Sequence, residues 1–168
     1  MNSKSLFWLL TTVLLITVSI AESQQPTKIP RVGYLATISL SIIPARIEAF
    51  RQGLRELGYV EGKSIVIEWR SAEGKPARVP GLATELVRLK VDIIVTAGSP
   101  ATRAAKEATN TIPIVMTNEG DPVGTGFVAS LARPGGNITG LSTLAPELSG
   151  KRLELLKEIV PNLSRVAV

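Results

Sequence analysis

From residue 31 onward, short apolar runs alternate with amphipathic stretches. Residues 32–36, Val-Gly-Tyr-Leu-Ala, read as a first strand. Pro44 then opens a helix in which Ile47, Phe50, Leu54 and Leu57 recur at 3-4-3 spacing, one face of a 3.6-residue period. Gly58 suits its C-terminal stop. Residues 65–69 predict a second strand. Val79, Leu82, Leu86 and Leu89 repeat the helical spacing. Residues 92–97 predict a third strand, whose unbroken apolar centre fits a parallel strand covered on both faces. An alanine-rich helix follows over 100–109, with Pro100 in its first turn, where a missing N–H costs nothing.

Residues 112–116 predict a fourth strand with Pro113 at its start, because proline inside a central strand breaks the ladder. A loop over 117–125 leads to a short helix around 126–131 and a turn at Arg133-Pro134-Gly135-Gly136. Residues 137–141 predict a weaker fifth strand. A last helix over 146–160 carries Leu148, Leu155, Leu156 and Ile159, and Pro161 stops it. Residues 165–168 begin a further strand. Alternating strands and helices predict an α/β fold, a doubly wound parallel sheet with flavodoxin-like order 2-1-3-4-5. An apolar strand at the chain end reads as the start of a second, incomplete set of βα units.

The first 21 residues stand outside this pattern. Lys4 precedes an uncharged, mostly apolar run over 6–20, and Ser19 and Ala21 are small residues at the −3 and −1 positions. This predicts a secretory signal peptide cleaved after Ala21. The run is shorter than the roughly 20 residues that span a bilayer. No stable membrane insertion is expected after cleavage. Residues 22–30 read as a flexible leader.

Composition narrows the chemistry. The chain has 168 residues, 45% hydrophobic and 20% charged, and contains neither cysteine nor histidine. Disulfides, thiolate zinc sites, His-ligated metals, cysteine nucleophiles and Ser-His pairs are thereby excluded. No metal site and no catalytic residue are expected. Cleavage would remove only Lys4 from the charge count, leaving 18 basic against 14 acidic residues. The bases are scattered and aromatics are 4% of the chain, whereas a nucleic-acid surface needs clustered bases with interleaved aromatics. No nucleic-acid partner is expected.

Ligands of open parallel sheets bind beyond the carboxyl ends of the strands. Four loops qualify. The first follows strand 1 and offers Thr37 and Ser39. The second is Gly98-Ser99-Pro100-Ala101-Thr102. There Gly98 permits close backbone approach. The Ser99 hydroxyl, with the Ala101 and Thr102 amides at a helix N-terminus, would suit an anion. The plainer reading makes Ser99 only a helix cap. The third loop holds Asn118, Glu119 and Asp121, which suit an ammonium or several hydroxyls. Against this, Asp121-Pro122 is a common Asx-turn. The fourth offers Thr143. Together they suit a zwitterionic or polyhydroxylated small molecule.

Nucleotide motifs are missing. There is no P-loop and no G-x-G-x-x-G; the glycines at 120, 124 and 126 are interrupted by Pro122 and follow the fourth strand. No cofactor is expected. Gly98-Ser99-Pro100 begins like a nucleophile elbow but lacks its final glycine and any activating histidine. The triplets at Asn137 and Asn162 fit a glycosylation pattern of low specificity.

Three segments carry a resemblance. They are Ala49-Phe50-Arg51-Gln52-Gly53-Leu54-Arg55-Glu56-Leu57-Gly58-Tyr59-Val60-Glu61-Gly62-Lys63, then Asp121-Pro122-Val123-Gly124, then 129–141, Ala-Ser-Leu-Ala-Arg-Pro-Gly-Gly-Asn-Ile-Thr-Gly-Leu. Residues 148–156 continue it. The chain resembles bacterial ABC transporter substrate-binding proteins of the tryptophan/tyrosine-binding type, a type I periplasmic-binding-protein family. The resemblance spans residue 31 to the end. It implies two α/β lobes closing on a small ligand, with amino acids, especially aromatic ones, as the leading class. It also implies delivery to an ABC permease at the membrane, and no catalysis. On this reading 31–145 is the first lobe, and 146–168 is the crossover helix with the first strand of an incomplete second lobe. The family's lipid-attachment cysteine is absent, which fits a free periplasmic protein. The loops at 37–41, 98–102 and 118–121 match where this fold places first-lobe contacts. Two other readings stand beside it: a ligand-sensing domain of an exported signalling protein, and an exported α/β enzyme using Asp121 or Glu119 as base.

Overall fold

A computed structural model describes residues 28–143, 145–161 and 165. The signal peptide, the leader up to residue 27 and most of the strand expected over 165–168 lie outside the described residues. Five parallel strands form one sheet: β1 (Arg31–Ala36), β2 (Val66–Ser71), β3 (Ile93–Ala97), β4 (Ile114–Glu119) and β5 (Ile138–Ser142). Their order is β2-β1-β3-β4-β5, the flavodoxin-like arrangement expected. The helices are α1 (Pro44–Glu56), α2 (Val79–Arg88), α3 (Ser99–Ala108) and α4 (Ala145–Ile159).

The sheet is covered on both faces because the winding reverses at β1. The α1 connection leads outward to β2, and the α2 connection returns past β1 to β3. Crossovers of one hand therefore place α1 and α2 on opposite faces. β1 shows the consequence at period two. Val32, Tyr34 and Ala36 pack with Ile47, Ile67 and Val95 on the α1 face. Leu35 packs with Leu86, Ile94, Ala105 and Ile114 on the α2–α3 face. Gly33 lies under Leu86; a Cβ there would meet its Cδ2 at 2.9 Å, so glycine permits close helix–strand contact.

Local signals account for several boundaries. Pro44 starts α1, and Gly58, at φ +84°, ends it; the Tyr59 amide donates to the Leu54 carbonyl at 2.9 Å. Pro113 stands just before β4, where its carbonyl accepts from the Ile94 amide at 2.9 Å.

Three expectations need correction. Leu57, expected on the apolar face of α1, is 75% exposed, because the helix has already ended at Glu56. The helix expected around 126–131 is absent. Turns over 122–126 replace it, closed by Thr125 donating to the Asp121 carbonyl and Phe127 to that of Pro122. Phe127 and Val128 then drop into the core directly from the loop. β4 runs on to Glu119, converting the expected loop at 117–119 into strand. The apolar set of α4 read from spacing, Leu148, Leu155, Leu156 and Ile159, is exposed. Among the described residues no helix is long and apolar enough to cross a membrane.

Gly140 is the tightest backbone constraint in the sheet. It pairs with Met116 across β4–β5 at φ +144°, and a Cβ there would fall 2.1 Å from the Met116 carbonyl oxygen. Gly140→Ala is expected to destabilise the fold by about 3 kcal/mol, combining overpacking with an unfavourable backbone. Chemical denaturation of the variant against the wild type measures it.

Candidate functional site

A cleft of about 730 Å³ opens beyond the carboxyl ends of β1, β3 and β4, on the α1 side of the sheet. This is the switch point between β1 and β3, where the strand order reverses and the connecting loops diverge. Its wall is largely apolar: Tyr34 and Phe50 supply aromatic surface, and Ile38, Ile43 and Leu141 supply aliphatic surface. Thr37, Asn118 and Arg46 are among its polar groups.

The aromatic wall is held from behind. Tyr34, Phe50 and Trp69 form a cluster, with ring centroids 4.9 Å apart for Tyr34–Trp69 and 5.4 Å for Tyr34–Phe50. Such tilted contacts are favoured by the ring quadrupoles. The Arg51 guanidinium lies 4.9 Å over Trp69. Glu61 ties the two together, accepting from Arg51 Nε at 2.7 Å and from Trp69 Nε1 at 2.8 Å. Burial pushes the Glu61 carboxyl upward, but the Arg51 and Trp69 hydrogen bonds outweigh it and hold the group below its ordinary value. Burial raises the Tyr34 phenol, with the Arg46 charge opposing the rise.

The expected site residues separate into two groups. Thr37, Gly98 and Asn118 line the cleft. Ser39, Ser99, Ala101, Thr102, Asp121 and Thr143 are not among its lining, and most are engaged elsewhere. Ser39 shares a hydrogen bond with Ser41 at 2.9 Å. Gly98, at φ +94°, occupies the N-cap of α3, and Ser99 is its first helical residue rather than its cap. The Ala101 and Thr102 amides both donate to the Gly98 carbonyl at 3.1 Å. The Thr102 side chain is buried and shares a hydrogen bond with Thr96 at 2.8 Å. Asp121 closes its own turn, accepting from the Gly124 amide at 2.7 Å. That is the Asx-type role its sequence allowed.

Glu119 was expected on an open acidic loop but is 2% exposed. A register shift between Met116 and Glu119 breaks the alternation of β4, as a bulge does. Asn118, in phase with buried Ile114 and Met116, is therefore exposed, and Glu119 turns inward. There its Oε1 accepts from the Ser99 hydroxyl at 2.6 Å. Its backbone carbonyl accepts from the Thr143 amide at 2.8 Å. Glu119 thus joins the N-terminus of α3 to the exit from β5. Its Oε2 and the Thr37 hydroxyl are buried without hydrogen-bond partners among the described residues.

Arg46 was missed in the sequence. It projects from α1 into the cleft and is the one charged side chain among the lining residues. A signal was available: position 46 neighbours Ile47, Ala49 and Phe50 on the helix that follows the first binding loop. Among the described residues no group of three or more acidic side chains forms a metal site.

The family model for ABC transporter substrate binding proteins matches residues 31–168. The chain belongs to this family. A tyrosine-binding protein from Clostridioides difficile (strain R20291) is 36% identical over 121 residues, covering 72% of this chain and 34% of that protein. The crystal structure of a conserved domain protein from Vibrio cholerae aligns with TM-score 0.72 and 37% identity, over 80% of this chain and 45% of that one. A Streptococcus pneumoniae ABC domain in complex with L-Trp aligns with TM-score 0.69 and 29% identity, over 79% and 44%. The chain therefore spans less than half the length of each of these relatives.

Two predictions follow from this geometry. Ser99→Ala leaves a buried carboxyl without its donor and is expected to cost about 1–3 kcal/mol of stability. In a Glu119→Gln background the same change is expected to cost less, and a double-mutant cycle by denaturation reads the difference. For Glu61, the folded state binds the ionised form better than the unfolded chain does. Its stabilisation is therefore complete above the ordinary carboxylate range and drains away as pH falls through the lowered value. Glu61→Gln is expected to be less stable than wild type at neutral pH, with the gap closing in acid, as melting curves across pH would show.

Proposed function

We propose that this chain supplies the ligand-capturing lobe of an ABC importer's substrate-binding protein, and that its ligand is an amino acid with an aromatic or large apolar side chain. The observation carrying the reading is a cleft at the switch point that combines an aromatic wall with one cation. A cleft of about 730 Å³ accommodates a small organic molecule. Tyr34 and Phe50 offer a ring surface, while Thr37, Asn118 and Arg46 offer polar anchors to a main-chain group. The tyrosine-binding and tryptophan-bound relatives agree in ligand class.

In this role the protein is exported to the periplasm through the segment before residue 22, binds its ligand there, and presents it to a membrane permease. No bond is made or broken. Thr37 and Asn118 are the expected site residues that contact ligand; Gly98 gives the backbone close approach. Ser99, Ala101, Thr102, Asp121 and Thr143 serve by shaping the loops.

Calorimetry of the full-length protein with the twenty amino acids tests the reading. L-tyrosine or L-tryptophan is expected to bind, and Phe50→Ala to weaken that binding about tenfold or more through loss of aromatic contact. Preference for a small or acidic amino acid would overturn the assignment of ligand class.

A further inference from the structure

Resting on that reading, we propose that Arg46, with the Thr37 hydroxyl, receives the ligand's carboxylate on the α1 side of the cleft. The alternative, the N-terminus of α3, has most of its donors engaged, and Pro100 in its first turn has no N–H. The Ala101 and Thr102 amides both serve the Gly98 carbonyl, and the Ser99 hydroxyl serves Glu119. A carboxylate brought there would also meet the Glu119 carboxyl group.

Arg46 has the opposite character. Further along the same helix, Arg51 pairs with Glu61 and Arg55 with Glu48, each at 2.7 Å. Arg46 has no acidic partner among the described residues, is exposed, and lines the cleft. Its five N–H donors match a carboxylate in a planar, two-point geometry. Thr37 lines the same cleft, and its buried hydroxyl lacks a partner among the described residues. Buried polar groups are rarely left so, and a carboxylate oxygen would satisfy it. Tyr34 is close enough to Arg46 to feel its charge, so the cation lies beside the aromatic wall.

Among the described lining residues none is acidic. This wall therefore offers a charge partner to the carboxylate and none to the amino group. The chemistry of recognition on this lobe is that of an aryl-substituted carboxylic acid, of which an aromatic amino acid is one case.

The experiment compares L-tryptophan, indole-3-propionate and tryptamine on the full-length wild type, Arg46→Gln, Arg46→Lys and Thr37→Val, by calorimetry with melting curves as a folding control. Arg46→Gln is expected to weaken both carboxylate ligands about tenfold or more and leave tryptamine unchanged or improved. Arg46→Lys is expected to recover part of the loss, and Thr37→Val to weaken the same two ligands. Unchanged L-tryptophan affinity in Arg46→Gln would overturn the proposal. So would an equal loss for tryptamine, which would make Arg46 a wall rather than a charge partner. A wild type that binds none of the three, yet binds some other amino acid, would overturn the aromatic ligand class and the aryl-acid proposal that rests on it, whereas unchanged L-tryptophan affinity in Arg46→Gln overturns the proposal and leaves the ligand class standing. If Arg46→Gln does not fold, Arg46→Lys and Thr37→Val decide: acid affinities unchanged in both would overturn the proposal.

Discussion

Parallel pairing of β1 with β2 on one side and β3 on the other is the constraint on which this molecule rests. It forces the chain to wind in opposite directions from one central strand. The helices then divide between the two faces, and the loops after β1 and β3 part at the sheet edge. The cleft is the space left by that divergence. Its floor is strand-end backbone, and its side is α1. The residues lining it follow from this geometry: Thr37 and Gly98 are the residues immediately beyond β1 and β3, and Arg46 reaches the same edge from the first helix.

Two supporting shells make the cleft specific in shape. One is aromatic. Trp69 on β2 backs Tyr34 and Phe50, and the Arg51–Glu61 pair holds the exposed side of that cluster. The other is polar. The bulge in β4 turns Glu119 inward, where it binds Ser99 by its side chain and Thr143 by its backbone. A buried carboxyl needs such partners, because desolvation without hydrogen bonds is costly. The result is a rigid junction between the start of α3 and the exit from β5. That junction engages the Ser99 hydroxyl at the start of α3 with Glu119.

Exposure of the apolar side chains of α4 fits the same picture at the level of the family. The chain spans less than half the length of the relatives it matches. An amphipathic helix contributes to stability only when its apolar stripe meets another surface.

The sequence by itself determined the βα alternation of the sheet, its strand order and the buried face of α2. These depend on local periodicity and on chain-winding rules that leave few alternatives. It also pointed to the sheet edge beyond the strand ends, where Thr37, Gly98 and Asn118 line the cleft. The allocation of hydrogen bonds was decided only by tertiary structure. Ser99 looked like a free cap and Glu119 like a loop acid, but each finds the other across twenty residues of chain. A one-residue register shift opposite Gly140 turns Glu119 inward, and nothing in the local pattern of 114–119 announces it. Arg46 reads in sequence as one more surface base. Only the folded arrangement shows that it faces a largely apolar cleft without an acidic partner among the described residues, because pairing depends on which side chains the packed elements bring within reach.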